Sequence, residues 1–175
     1  VCSSDLPGRV ILAIPGGPIS KLVQPVTNPK GWGLDDNFTR DVFAQYPDED
    51  GSSSQKWLDK ENAQPNRSFL YDCVDLSNQY PGDFGFIYRF NINSTPAEAV
   101  NALSILIDGK CFVYGVVAGS EVYSWLEFDT AAYFSKSQPI IDAIHANWPS
   151  LKIALCIAPN PDRKDHNIWN DAMYN

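Results

Sequence analysis

Glu121 is the residue in this chain best placed to do chemistry. It follows Gly119-Ser120 at the end of an apolar run, Cys111 to Ala118. A continuous run of this kind, rich in β-branched and aromatic residues, reads as a strand buried on both faces. In α/β folds, ligands collect at the carboxyl ends of parallel strands. A carboxyl group held there, partly inside an apolar cleft, is a candidate general acid, because desolvation disfavours its charged form. A loop glutamate in water fits the local sequence equally well. A second turn of interest is Pro15-Gly16-Gly17-Pro18, which closes the apolar run Arg9 to Ile14. Proline ends ladder pairing there, and the paired glycines let the backbone pass close to a ligand. Other chemistries find no support. His145 and His166 are lone histidines without a set of metal-ligand spacing around them. Neither a Gly-rich phosphate loop nor a Ser-His-Asp arrangement is visible. No metal and no cofactor is expected.

The totals narrow the partners. A chain of 175 residues is long enough for one domain with a substantial core. Its net charge of −8 argues against nucleic acid and anionic membrane surfaces, which call for basic patches. The same charge is compatible with a neutral polymer such as a polysaccharide. An aromatic content of 13% would suit stacking against sugar rings, although packing alone accounts for most such side chains. No apolar run reaches the ~18 residues of a membrane span. No basic-then-apolar signal segment opens the chain. Residues 1–6, Val1 to Leu6, match the translated end of a common short-read sequencing adapter. They are expected to be a sequencing artefact, with the reading frame cut at its amino end and the native domain covering 7–175. Setting Cys2 aside, Cys73, Cys111 and Cys156 lie in strand-like and helix-like runs. They read as buried free thiols rather than a disulfide framework or a zinc motif.

The elements that would position Glu121 alternate along the chain. Arg9 to Ile14 is a short buried strand. Residues 19–62 read as a long loop, with a helical turn around Phe38 to Phe43. Ser68 to Gln79 has the apolar stripe of a helix, capped by Ser68 and stopped at Tyr80-Pro81-Gly82. Phe84 to Phe90 follows as a strand ending at Asn91. Thr95-Pro96-Ala97-Glu98 combines a capping box with proline in the first turn, and Val100, Leu103, Leu106 and Ile107 sit at helical spacing behind it. Gly109 is expected to close that helix in the left-handed conformation. After the Cys111 to Ala118 strand, Asp129 is positioned to cap a helix that Pro139 should kink or split. Leu151 to Ala158 reads as another buried strand, with Asn160 just past its end. The residues from Ile168 to Tyr174 read as the start of a further element. Regular alternation of strand and helix implies right-handed crossovers and a parallel sheet, an α/β fold.

Four pieces in this order resemble the clan A glycoside hydrolases, which are (β/α)8 barrels, and most of all their α-L-arabinofuranosidase branch. Ile14-Pro15-Gly16-Gly17-Pro18 resembles the turn after that family's second strand. Asn91 to Ala99 resembles the asparagine-ended third strand and the helix start that follows. Gly115 to Tyr123 resembles the fourth-strand motif that carries the acid/base glutamate. Asp129 to Ile153 resembles the next helix and the fifth strand. A full barrel needs about 250 residues. The resemblance therefore implies a fragment of a TIM barrel, strands 2 to 5, with a parallel sheet.

The resemblance further implies a glycoside hydrolase acting on a polysaccharide or oligosaccharide by a retaining two-carboxylate mechanism, with Glu121 as acid/base. The nucleophile would be a glutamate on the seventh strand, beyond Asn175. Asn91, Ser120 and Asn160 would hydrogen-bond sugar hydroxyls, Tyr123 and Trp125 would wall the site, and Gly16 and Gly17 would line the approach. For Asn91 and Asn160 a cap or turn role fits as well, and for Trp125 so does loop packing. The partner would be a carbohydrate, with no nucleic acid and no membrane span, and the protein would work outside the cytoplasm, in the periplasm or beyond the cell. The sequence departs from the family at Ala13, where arginine is usual, and at Ser120, where asparagine is usual. Those departures favour an alternative, a carbohydrate-binding or surface protein on a barrel that has lost its chemistry.

Overall fold

The structure, a computed structural model, describes residues 8–15, 67–120, 122–125, 129–159 and 162–174, with backbone alone at 124 and 125. The central strands follow from their composition. Strand β2 (Phe84–Phe90) alternates large aromatic residues with smaller or polar ones. Phe86, Tyr88 and Phe90 are 0%, 3% and 0% exposed, so one face of the strand carries the core. On one side β2 pairs in parallel with β1 (Val10–Ile14), with Leu12 opposite Phe86 and Ile14 opposite Tyr88. On the other it pairs in parallel with β3 (Val113–Ala118), which in turn pairs with β4 (Ile153–Leu155). The sheet order is β1-β2-β3-β4, the order of the chain.

Helices fill the connections. Helix α1 (Phe69–Gln79) precedes β2, α2 (Pro96–Asp108) precedes β3, and α4 (Thr130–Asn147) precedes β4; the short α3 (Val122–Trp125) follows β3, and α5 (Lys164–Tyr174) follows β4. Helix α2 lies between α1 and α4 and touches both. Consecutive parallel strands joined by crossovers of one hand place their helices on one face of the sheet. Leu103, Leu106, Ile140 and Ile144, all fully buried, meet Phe86, Phe90 and Val116 in that layer. The opposite face carries Ala13, Ile87, Arg89, Val117 and Ala154, aligned by register as Ala13 beside Ile87 and Arg89 beside Val117 beside Ala154. A bulge adjusts this register. Phe86 pairs with Val113 but Ile87 with Gly115, leaving Tyr114 as the extra residue of β3. Among the described residues, no helix is long and apolar enough to cross a membrane.

Several local expectations hold. Ser68 caps α1 by accepting from the Leu70 amide at 3.3 Å. The capping box of α2 is complete: the Glu98 amide donates to Thr95 Oγ1 (3.2 Å), and the Thr95 amide donates to the Glu98 carboxylate (2.7 Å). Cys73, Cys111 and Cys156 are buried free thiols.

Three expectations are corrected. Gly109 ends α2 at φ −70, and Lys110 takes the left-handed conformation instead, at φ 63. Gly109 is required for a different reason: a Cβ there would collide with Val74 of α1 and lie 2.8 Å from the Ile105 carbonyl. Pro139 does not split α4, which runs unbroken from Thr130 to Asn147. Pro139 and Ser135 are both exposed, so the carbonyl that loses its proline partner faces water. Strand β4 is shorter than the apolar run suggests and is not buried on both faces. Leu155 and Ile157 are 37% and 53% exposed, because the strand pairs only with β3 in the described sheet. The long loop and the helical turn expected in 19–62 lie outside the described residues.

The α1–α2 junction makes a paired prediction. Gly109→Ala should cost about 1–3 kcal/mol by overpacking. Lys110→Gly should gain about 0.5–1 kcal/mol, because glycine removes the left-handed strain of a Cβ. Urea titrations of both variants test this, and a stabilising Gly109→Ala would show that the helices do not approach as closely as described.

The buried thiols make a second. Burial, with smaller contributions from Cys111 and Asp72, pushes the Cys73 thiol from its ordinary 9.0 up to about 12. Burial raises the Cys111 thiol as well, partly offset by the Ser77 hydroxyl. The fold therefore holds these protons more tightly than the unfolded chain does. That stability is fully present below pH 9.0 and is lost as the pH climbs toward about 12. Urea midpoints measured across this range should fall with pH, and the fall should be shallower in Cys73→Ala. A midpoint independent of pH in the parent would contradict the burial of the thiol.

Candidate active site

The carboxyl ends of β2, β3 and β4 converge on one place. Strand β3 gives way to Gly119, at φ +77. A Cβ on Gly119 would lie 2.8 Å from Val122 Cγ1 and 3.0 Å from Ile92 Cγ2, so the turn needs glycine both for its conformation and for the approach of Ile92. The Gly119 amide donates to the Phe90 carbonyl at 3.1 Å and ties the turn to the end of β2. Ser120 follows at 9% exposure, and Val122, the first residue of α3, is fully buried. Both neighbours of Glu121 in the chain are thus held in place, while Glu121 itself lies outside the described residues.

An open hollow of about 350 Å³ lies at these strand ends, between Arg89, Val117, Ser120, Tyr123, Ala154 and Pro159. It brings together two of the expected site residues, Ser120 and Tyr123. The Tyr123 ring packs edge-on against His166 at 4.8 Å and is tilted against Trp169 at 6.1 Å. Asn91 is placed differently. It sits just past β2, 1% exposed, and its Oδ1 accepts from the Asn93 amide at 2.9 Å in a side-chain turn. Its Nδ2 has no hydrogen-bond partner among the described residues, and it does not line the hollow. The turn role is therefore present, with one donor to spare. Gly16, Gly17 and Asn160 lie outside the described residues, as does the side chain of Trp125. Pro15, which precedes the glycine pair, is buried, and the Ile14–Pro15 peptide is cis.

What braces the hollow is not legible from the motifs. Tyr133 of α4 is fully buried, and its hydroxyl donates to the Ala118 carbonyl (2.9 Å) and accepts from the Cys156 amide (3.0 Å). One phenol thus joins the ends of β3 and β4, and burial raises its pKa well above the ordinary value. Helix α5 completes the wall. Trp169 Nε1 donates to the Cys156 carbonyl at 2.9 Å, and the Asn170 amide group exchanges two 2.9 Å bonds with the Ala158 backbone. The backbone beyond Leu155 is satisfied by side chains instead of by a strand partner, which is why β4 stops where it does. The spacing of His166, Trp169 and Met173 is the helical signal that marks α5 in the sequence. Arg89 is the other residue that the motifs miss; its mark is a charge inside the apolar run of β2.

Among the described residues, no cluster of His, Cys, Asp and Glu is arranged to hold a metal ion. The fold and site together define an α/β protein with a parallel sheet and a hollow at the carboxyl ends of its strands. Comparison with protein-family models, with curated proteins and with solved structures finds no match.

Tyr133→Phe removes the hydroxyl that accepts from the Cys156 amide and donates to the Ala118 carbonyl, both at buried positions, and should cost about 1–3 kcal/mol in urea unfolding. Tyr80→Phe, at an exposed ring, should fall within about 0.5 kcal/mol of the parent. Equal stabilities for the two variants would mean that the hydroxyl bridge contributes nothing.

Proposed function

We propose that the chain forms part of a (β/α)8-barrel glycoside hydrolase of the retaining type, with Glu121 as its acid/base. The observation that carries this reading is the sheet order β1-β2-β3-β4, all parallel, each strand joined to the next through a helix. A doubly wound sheet reverses its strand order at a switch point, whereas a barrel adds each strand beside the last. In a barrel the helix-free face turns inward, and the carboxyl ends of the strands form the catalytic mouth. In sequence Glu121 follows β3 directly, between a nearly buried Ser120, which lines the hollow, and a buried Val122. The Thr95-Pro96-Ala97-Glu98 helix start and the Gly119-Ser120-Glu121 turn are the motifs that carry the resemblance in sequence.

The chemistry divides between two carboxyl groups. Glu121 gives its proton to the glycosidic oxygen as the bond to the anomeric carbon breaks. The partner carboxylate, about 5–5.5 Å away, bonds to that carbon from the opposite face. Glu121, now ionised, takes a proton from water, whose oxygen displaces the partner carboxylate and releases the sugar. The resemblance puts the partner carboxylate on a later strand, beyond Asn175. The Ser120 hydroxyl is available for a sugar hydroxyl, and the Tyr123 ring for the flat face of a sugar ring.

A binding protein without turnover is the second reading, favoured by Ala13 on the helix-free face and by Ser120 beside Glu121. One variant separates the two. Glu121→Gln in the protein as encoded should lower hydrolysis of aryl glycosides by about 10²–10⁴-fold while retaining binding, with the smallest loss for the best leaving groups. Turnover that survives the substitution would remove Glu121 from the mechanism. Binding with no turnover in the parent would establish the second reading.

A further inference from the structure

Deepening the proposed glycan-cleaving function and resting on it, we infer that the hollow takes an acidic glycan, one with a uronic acid residue, and that Arg89 holds its carboxylate. Arg89 is the cation among the described residues of the hollow wall. It stands on the helix-free face of β2, in one row with Val117 of β3 and Ala154 of β4. Its neighbours in that row are short, and Gly119 has no side chain, so the space beside the guanidinium is left open. The guanidinium is half-buried and has neither a hydrogen-bond partner nor an ion-pair partner among the described residues.

The other guanidinium groups described are partnered. Arg67 pairs with Asp72 and Asp75, Arg163 pairs with Asp165, and Arg9 lies over the Phe112 ring and donates to the Gly82 carbonyl. A half-buried guanidinium beside Val117, with no counter-charge among the described residues, is costly to maintain. A planar carboxylate answers it through two parallel N–H···O bonds, a geometry that a neutral sugar hydroxyl does not offer. The net charge of −8 makes this local positive site the more unusual, because the field of the rest of the chain opposes an anion.

The test compares matched sugars. Binding of uronic acid trisaccharides and of their neutral counterparts, which carry a hydroxymethyl group in place of the carboxylate, is measured by calorimetry on the full chain and on Arg89→Gln and Arg89→Lys. The acidic sugars should bind at least tenfold more tightly. Arg89→Gln should bring the ratio close to one, and Arg89→Lys should leave it in between, because lysine keeps the charge and loses the fork; the lysine variant also decides the matter if the glutamine variant does not fold. Acidic and neutral sugars of equal affinity in the parent would overturn the inference and leave the glycan reading standing. No binding of either would overturn both. An equal weakening of both sugars by Arg89→Gln would also overturn it, since Arg89 would then act on the site rather than on the substrate carboxylate. Inorganic phosphate that displaces the acidic sugar at equal concentration would reduce the site to a general anion pocket and overturn the uronate assignment.

Discussion

The hydroxyl of Tyr133 is the interaction on which this structure most depends. It lies where β3 and β4 cease to pair with each other, and it bonds one backbone group from each, the Ala118 carbonyl and the Cys156 amide. A single phenol satisfies both, and its ring occupies the space between α4 and α5 against Trp169. Because Ala118 leads directly into Gly119 and Ser120, the position of the turn that bears Glu121 is set from the helix layer rather than from solvent. The cost of fixing a loop in one conformation is thereby carried by the packing of α4, whose Ile140, Ile141 and Ile144 are buried in the core.

Much of the fold could be read in the sequence because short-range physics decides it. The helix start at Thr95 needs only residues close to it in the chain, and β2 needs only its own alternation. Those elements stand where the residues put them. Two of the misreadings share a cause, which is that a distant neighbour overrode the local signal; the third turns on exposure to water. Gly109 looks like a left-handed cap until Val74 of α1 is seen to press on it. The apolar run from Leu151 to Ala158 looks like a strand throughout until side chains of α4 and α5 take over its backbone bonds. Pro139 looks disruptive until its carbonyl partner is found on the wet side of α4.

The site was legible in part for the same reason. Ser120 and Tyr123 are near Glu121 in sequence and are also near the hollow. Asn91 satisfies a turn within its own loop, a role available to any strand-end asparagine, and stays off the wall. Arg89 and Tyr133 escape motif reading because their importance is positional. Arg89 is defined by the strand row it shares with Val117 and Ala154, and Tyr133 by two backbone groups far apart in the chain.

The bulge at Tyr114 gives the site a parity. Below it, Val113 sits beside Phe86; above it, Val116 sits beside Tyr88 and Val117 beside Arg89. The extra residue shifts every later position of β3 by one step, and a strand shows alternate faces at alternate steps. With Tyr114 deleted and the pairing otherwise kept, Val113, Gly115 and Val116 would stand in plain alternation opposite Phe86, Ile87 and Tyr88, and the faces of β3 would not change. An insertion or deletion of one residue between Val116 and Ala118 would instead exchange the two faces beyond it. The bulge is where this strand can change its length by one residue without moving the site.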